Sequence, residues 1–133
     1  MIKKFFIKLF GDDSERLKLN RFLPPIKDLK IINQPIDELE FSPVQSKGIP
    51  VLIWINTRSI RCLNQFREKL NQDGRMDNLI TVGQNISSNI ALILGKIGVQ
   101  NMYDLASDSD GFVNKLLDCY EQWKSNITED KSI

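Results

Sequence analysis

The chain has 133 residues, 41% of them hydrophobic and 26% charged, the make-up of one globular domain and not of a disordered or fibrous protein. With 18 basic and 17 acidic residues the net charge is +1, so charge gives no case for whole-surface attraction to nucleic acid. Histidine is absent and only two cysteines occur, which excludes histidine triads, histidine metal ligands and a four-ligand Cys/His zinc site.

The segment Met1–Gly11 starts basic and turns apolar. Lys8 breaks its apolar run, and Gly11-Asp12-Asp13 stands where a secretory signal needs small residues for cleavage. Two readings stay open for it. The favoured one is a strand or short helix packed on the domain; the other is a basic-aromatic surface, Met1–Phe10, that touches anionic lipid or a partner. The capping residues Asp12, Asp13 and Ser14, followed by Leu17, Leu19, Phe22 and Leu23, predict a helix over Ser14–Leu23, ended by Pro24-Pro25. Leu29–Ile32 reads as a short strand closed by the turn signal Asn33-Gln34-Pro35. Ile36–Phe41 is ambiguous, and Ser42–Pro50 is a loop.

Val51-Leu52-Ile53-Trp54-Ile55 is an unbroken apolar run of strand length, apolar on both faces as in the centre of a parallel sheet. Ser59–Leu70 follows as an amphipathic helix striped by Ile60, Leu63, Phe66 and Leu70, and Asp73-Gly74 stops it. The unit then repeats. Leu79–Val82 is a strand, Gly83-Gln84-Asn85 a turn, and Ile86–Ile97 a helix with Gly98 as its terminating residue. Val99–Tyr103 is a further strand. Ser107–Asp110 caps a last helix striped by Phe112, Val113, Leu116, Leu117, Tyr120 and Trp123, and residues 126–133 are expected to fray. Such alternation predicts a single α/β domain over residues 1–133: a three-layer, open, mostly parallel sheet of about four short strands with flanking helices. Cys62 and Cys119 fall in apolar helical patterns as reduced core thiols, which suits a cytoplasmic protein.

In such a sheet ligands sit beyond the C-terminal strand ends, where helix N-termini present free amides. Asn56, Thr57, Arg58 and Ser59 stand at one such end, and Gly83, Gln84, Asn85 and Ser87 at another. Both clusters are rich in donors and candidates to hold a carboxylate or phosphate, with Arg58 as a bidentate partner. The competing reading is that these residues simply cap helices and make turns. Ser107–Asp110, at the third end, is acidic and would repel an anion. No nucleotide-binding glycine pattern and no cofactor fingerprint occurs, so no cofactor is expected. Asp12-Asp13 has the composition of a phosphorylated receiver domain's acidic pair, but no convincing strand precedes it and Asn56 ends Val51–Ile55 where an acceptor Asp would stand.

Read in order, Ile31–Ile36, Leu52–Ile60, Ile80–Asn85, Gly98-Val99 and Asp110–Leu117 resemble part of a uroporphyrinogen-III synthase, over about Leu29 to Leu117. The resemblance implies a cofactor-independent enzyme that cyclises hydroxymethylbilane, a linear tetrapyrrole with eight carboxylates. The chain departs from the family in three ways. It has length for one domain where the family has two; Asn56 takes the place of a serine and Ile86 that of a threonine; and the helix from Ile86 to Gly98 runs about one turn longer than the family pattern. The expected function is therefore a non-catalytic interaction or binding module, a subunit or assembly factor with protein partners or a second copy of itself. The alternatives are a divergent synthase and a helix-hairpin-helix-like nucleic-acid binder built on Val82-Gly83, Leu94–Val99 and Tyr103–Leu105.

Overall fold

The computed structural model describes residues 4–36, 50–65, 67–68 and 79–131, the last six by backbone alone. Five strands alternate with helices: β1 (Phe5–Phe10), α1 (Asp13–Asn20), β2 (Leu29–Gln34), β3 (Val51–Trp54), α2 (Thr57–Gln65), β4 (Leu79–Gly83), α3 (Ser88–Ile97), β5 (Asn101–Asp104) and α4 (Ser109–Lys131). The sheet is parallel throughout, in the order β2-β1-β3-β4-β5. This is the doubly wound, flavodoxin-like order, whose topological switch point lies between β1 and β3. The expected α/β class holds, with one strand more than foreseen.

The added strand is the N-terminal segment. Phe5, Ile7, Leu9 and Phe10 are buried, and β1 pairs along its whole length with β2 and by Lys8–Phe10 with β3. The favoured reading of the segment holds from Phe5 on. Phe5, Ile7, Leu9 and Phe10 are taken up by the core, while Phe6 and Lys8 are half-buried; Met1–Lys3 lie outside the described residues. It also follows that Asp12-Asp13 does stand at a strand end, against the sequence expectation.

Other boundaries move for local reasons. Helix α1 starts on Asp12, whose carboxylate accepts from the Glu15 amide at 2.8 Å, and it ends at Asn20 instead of Leu23; Phe22 and Leu23 still pack on the core. Strand β2 runs on through Asn33 and Gln34, which pair with Leu9 and Phe10, so the foreseen turn begins only at Pro35. Helix α2 begins two residues before Ser59; its expected end, like residues 37–49, lies outside the described residues. Helix α3 begins at Ser88 with Ser87 as its cap, instead of at Ile86. It ends at Gly98 in the left-handed region, φ 108°, where a Cβ would be strained. The Val99 amide then closes that cap on Leu94 O at 3.0 Å, so β5 starts at Asn101 and not at Val99. Helix α4 continues to Lys131 where fraying from Asn126 was expected.

Every residue of β3 and β4 is buried, which two-sided coverage requires. On one sheet face Phe5, Ile7, Leu9, Leu52, Trp54, Ile80 and Val82 meet Leu19 of α1 and Phe112 and Leu116 of α4. On the other, Phe10, Val51, Ile53 and Leu79 meet Leu63 of α2 and Leu94 and Ile97 of α3. Each fully buried side chain of this kind contributes about 1.5–3 kcal/mol. Among the described residues no helix is long and apolar enough to cross a membrane.

Candidate functional site

The topology brings the C-terminal ends of all five parallel strands to one edge of the sheet, the place where this fold class binds ligands. A small cavity of about 160 Å³ opens there between the ends of β1 and β3, lined by Phe10, Gly11, Asp12, Glu15, Trp54 and Asn56 among others. Arg58 and Ser59 also reach it.

The polar groups around this cavity are tied to one another. Asp12 and Glu15 form a reciprocal capping box, Glu15 Oε1 accepting from the Asp12 amide at 2.9 Å. The second oxygen of Glu15 accepts from Asn56 Nδ2 at 2.7 Å, a bond between residues 41 apart in the chain. Asn56 Oδ1 accepts from the Ser59 amide at 2.8 Å, and the Asn56 amide donates to Ser59 Oγ at 2.9 Å. Ser59, only 1% exposed, donates its hydroxyl proton to Trp54 O at 2.7 Å. One chain of hydrogen bonds thus runs from the β1–α1 loop across the switch point to the end of β3. Lys18 lies over the Trp54 ring, 5.8 Å from its centroid, beside it.

A second network closes the other half of the edge. Asp104, at the end of β5, accepts from the amides of Asn85 (2.9 Å), Ile86 (2.8 Å) and Ala106 (3.0 Å). The bond from the Ile86 amide is the main reason its carboxyl titrates below the usual carboxylate range, helped by those from Ala106 and Asn85 and opposed by desolvation. Asn85 takes φ 57°, a left-handed conformation that asparagine tolerates, and this aims its amide at Asp104. Gly83 is there for space. A Cβ on it would come within 3.2 Å of Ile86 Cγ1 and 3.3 Å of Ile55 Cβ. The glycine lets the turn pack closely on the side chains of Ile86 and Ile55.

Of the residues singled out from the sequence, Asn56 and Ser59 cap α2 and Ser87 caps α3, its Oγ accepting from the Ile90 amide at 3.2 Å. Asn85 gives its amide to Asp104, and Thr57 lies in the first turn of α2. Gln84 is exposed, and Arg58 is engaged in an interaction of its own. Asn56 and Ser59 come together with Arg58 at the cavity, whereas Gly83, Gln84, Asn85 and Ser87 belong to the neighbouring loop. Sequence reasoning missed Glu15 and Asp104, the acceptors that organise the two networks. The Asp12–Glu15 spacing does signal a capping box, but the reach of Glu15 to Asn56 has no local signature. At the acidic third strand end, Asp108 Oδ1 accepts from the Gly111 amide at 3.1 Å and caps α4.

The segment weighed as helix-hairpin-helix forms strand, helix and strand instead, with Val82-Gly83 in β4 and Tyr103-Asp104 in β5. Both cysteines are free and half-buried, and burial holds the Cys119 thiol above its ordinary value. No protein-family model matches this chain, and no curated protein is similar to it at a significant level.

Proposed function

We propose that this chain is a non-catalytic binding module that works by docking to another protein, as a subunit or assembly factor of a larger complex. One observation carries this reading. At the edge where the fold would act on a ligand, three carboxylates, those of Asp12, Glu15 and Asp104, serve internal bonds. Asp12 and Glu15 close a capping box, Glu15 also holds Asn56, and Asp104 gathers three amides. Each of these carboxylates is held in place by the fold contacts it accepts, which is the work of a structural group. Thr57, Gln84 and Asn85 offer hydroxyl and amide groups and no acid or base.

The alternative, a divergent uroporphyrinogen-III-synthase-like enzyme, has weaker support. A cavity of about 160 Å³ lined by Asp12 and Glu15 would set two carboxylates against a substrate that carries eight. A phosphorelay role lacks its acceptor, since the group at the end of β3 is an amide held by Glu15. The unpaired cysteines suit a reducing compartment such as the cytoplasm.

Two measurements on the purified full chain test the proposal. Tagged protein recovered from native extract should hold a partner at fixed stoichiometry through size exclusion. Supplied with hydroxymethylbilane, the protein should leave it to close spontaneously to the type I isomer. Enzyme-dependent formation of the type III isomer would overturn the proposal.

A further inference from the structure

On the side of the sheet away from α1 and α4, helices α2 and α3 pack beside each other. Both line a groove of about 430 Å³, with Ile60, Ile93 and Ile97 as its apolar centre and Arg61, Arg67 and Lys96 around it. Next to it Leu92 and Ile93 are 59% and 45% exposed, a cost in apolar surface that α3 carries in the isolated chain. Among the described residues three cations and no carboxylate line the groove. Neither α2 nor α3 contains an aspartate or glutamate, and none occurs anywhere from Leu79 to Tyr103. Glu68 follows Arg67 but is not part of the lining. Among the described acids, Asp13 and Glu15 lie on α1 and Asp110, Asp118 and Glu121 on α4, across the sheet from the groove. Near-neutrality overall therefore coexists with a groove whose described lining is basic around an apolar centre.

We propose that the α2–α3 groove is a docking site for an acidic amphipathic segment of a protein partner, its apolar side chains entering between Ile60 and Ile93 and its carboxylates meeting Arg61, Arg67 and Lys96. The inference rests on the reading of the chain as an interaction module and names the surface that does the work. Charge complementarity selects the occupant, because a basic lining steers and orients an acidic segment and disfavours a basic one. The apolar centre fits the anchor residues of a helix laid in a groove. Nucleic acid is the poorer fit, since among the described residues no aromatic side chain lines the groove to stack on a base.

The test uses the full chain labelled with ¹⁵N and a synthetic helical peptide of about 15 residues with leucines on one face and glutamates on the other. Amide shifts should be confined to α2 and α3, and binding should weaken as salt is raised. The double variant Ile93→Glu, Lys96→Glu should lose about tenfold or more in affinity. Leu17→Glu, on exposed α1, should bind as the wild type does. Circular dichroism of each variant checks that it is folded. The assignment falls if the peptide gives no shifts, if the shifts lie on another face, or if a peptide with lysines for glutamates binds equally well. It also falls if a DNA duplex or phosphatidylserine vesicles occupy the groove and the acidic peptide does not. Should the groove variant still capture the native partner at the wild-type ratio, the groove is overturned while the interaction reading stands. Absence of any partner overturns both.

Discussion

The two faces of the sheet solve the same covering problem differently. Under α1 and α4 the filling is aromatic. Phe5 lies 5.5 Å from Tyr120 and 5.6 Å from Trp123 between ring centroids, Phe112 lies 6.2 Å from Tyr103, and Trp54 completes the layer. Among the described residues the filling under α2 and α3 is mainly aliphatic, with Phe10 its one ring, and both helices line a groove. The first face thus takes the large rings, and the second, filled by smaller chains, carries the groove. The difference teaches where to look for function. The aromatic face belongs to stability, the crosslinked strand ends to loop geometry, and the groove with unspent apolar and basic groups to recognition.

The largest effect that would test this contrast is Phe112→Ala. Its ring is fully buried and its loss should cost about 3–5 kcal/mol by urea unfolding. Leu94→Ala on the second face should sit low in the range of roughly 2–5 kcal/mol for such truncations, because the adjoining groove lets the site collapse. Equal costs would erase the distinction between the faces. Ser59→Ala comes next. It removes a buried hydroxyl that donates to Trp54 O and accepts from the Asn56 amide, and should cost about 1–3 kcal/mol without loss of partner capture.

Asp104 gives a smaller, pH-dependent effect. Its folded carboxyl titrates below its unfolded value, so the stability it adds is present above the ordinary aspartate range and disappears as pH falls through the depressed value. Asp104→Asn should therefore flatten the acid limb of a stability-against-pH curve measured by urea unfolding. An unchanged limb would remove Asp104 from its place as the latch of the β4–α3 loop. The smallest change is expected of Ile93→Glu, within about 0.5 kcal/mol of wild type in the isolated chain, since the side chain is largely outside the core.

Much of this architecture is legible locally. The two-sided apolar runs of β3 and β4 state their own burial, and Gly98 marks the end of α3. Strand β1 is not legible in this way, because Phe5–Phe10 with Lys8 inside it fits a helix or a strand until β2 and β3 are laid on either side. The polar end of β2 was mistaken for a turn. As an edge strand it tolerates Asn33 and Gln34, and only its pairing with Leu9 and Phe10 reveals them as ladder residues. At the candidate site the capping residues are visible in sequence, since caps follow from positions a few residues apart. The bonds from Glu15 to Asn56 and from Asp104 to Asn85 and Ile86 cross 41, 19 and 18 residues, and only the fold brings those groups together.

The most direct measurement is hydrogen–deuterium exchange on the chain alone and with its captured partner. Protection gained on binding should fall on α2 and α3 and leave the amides of Asn56, Ser59, Asn85 and Ile86 unchanged. Protection concentrated at those four amides, with α2 and α3 unaffected, would contradict the account and return the strand ends to the role of binding site.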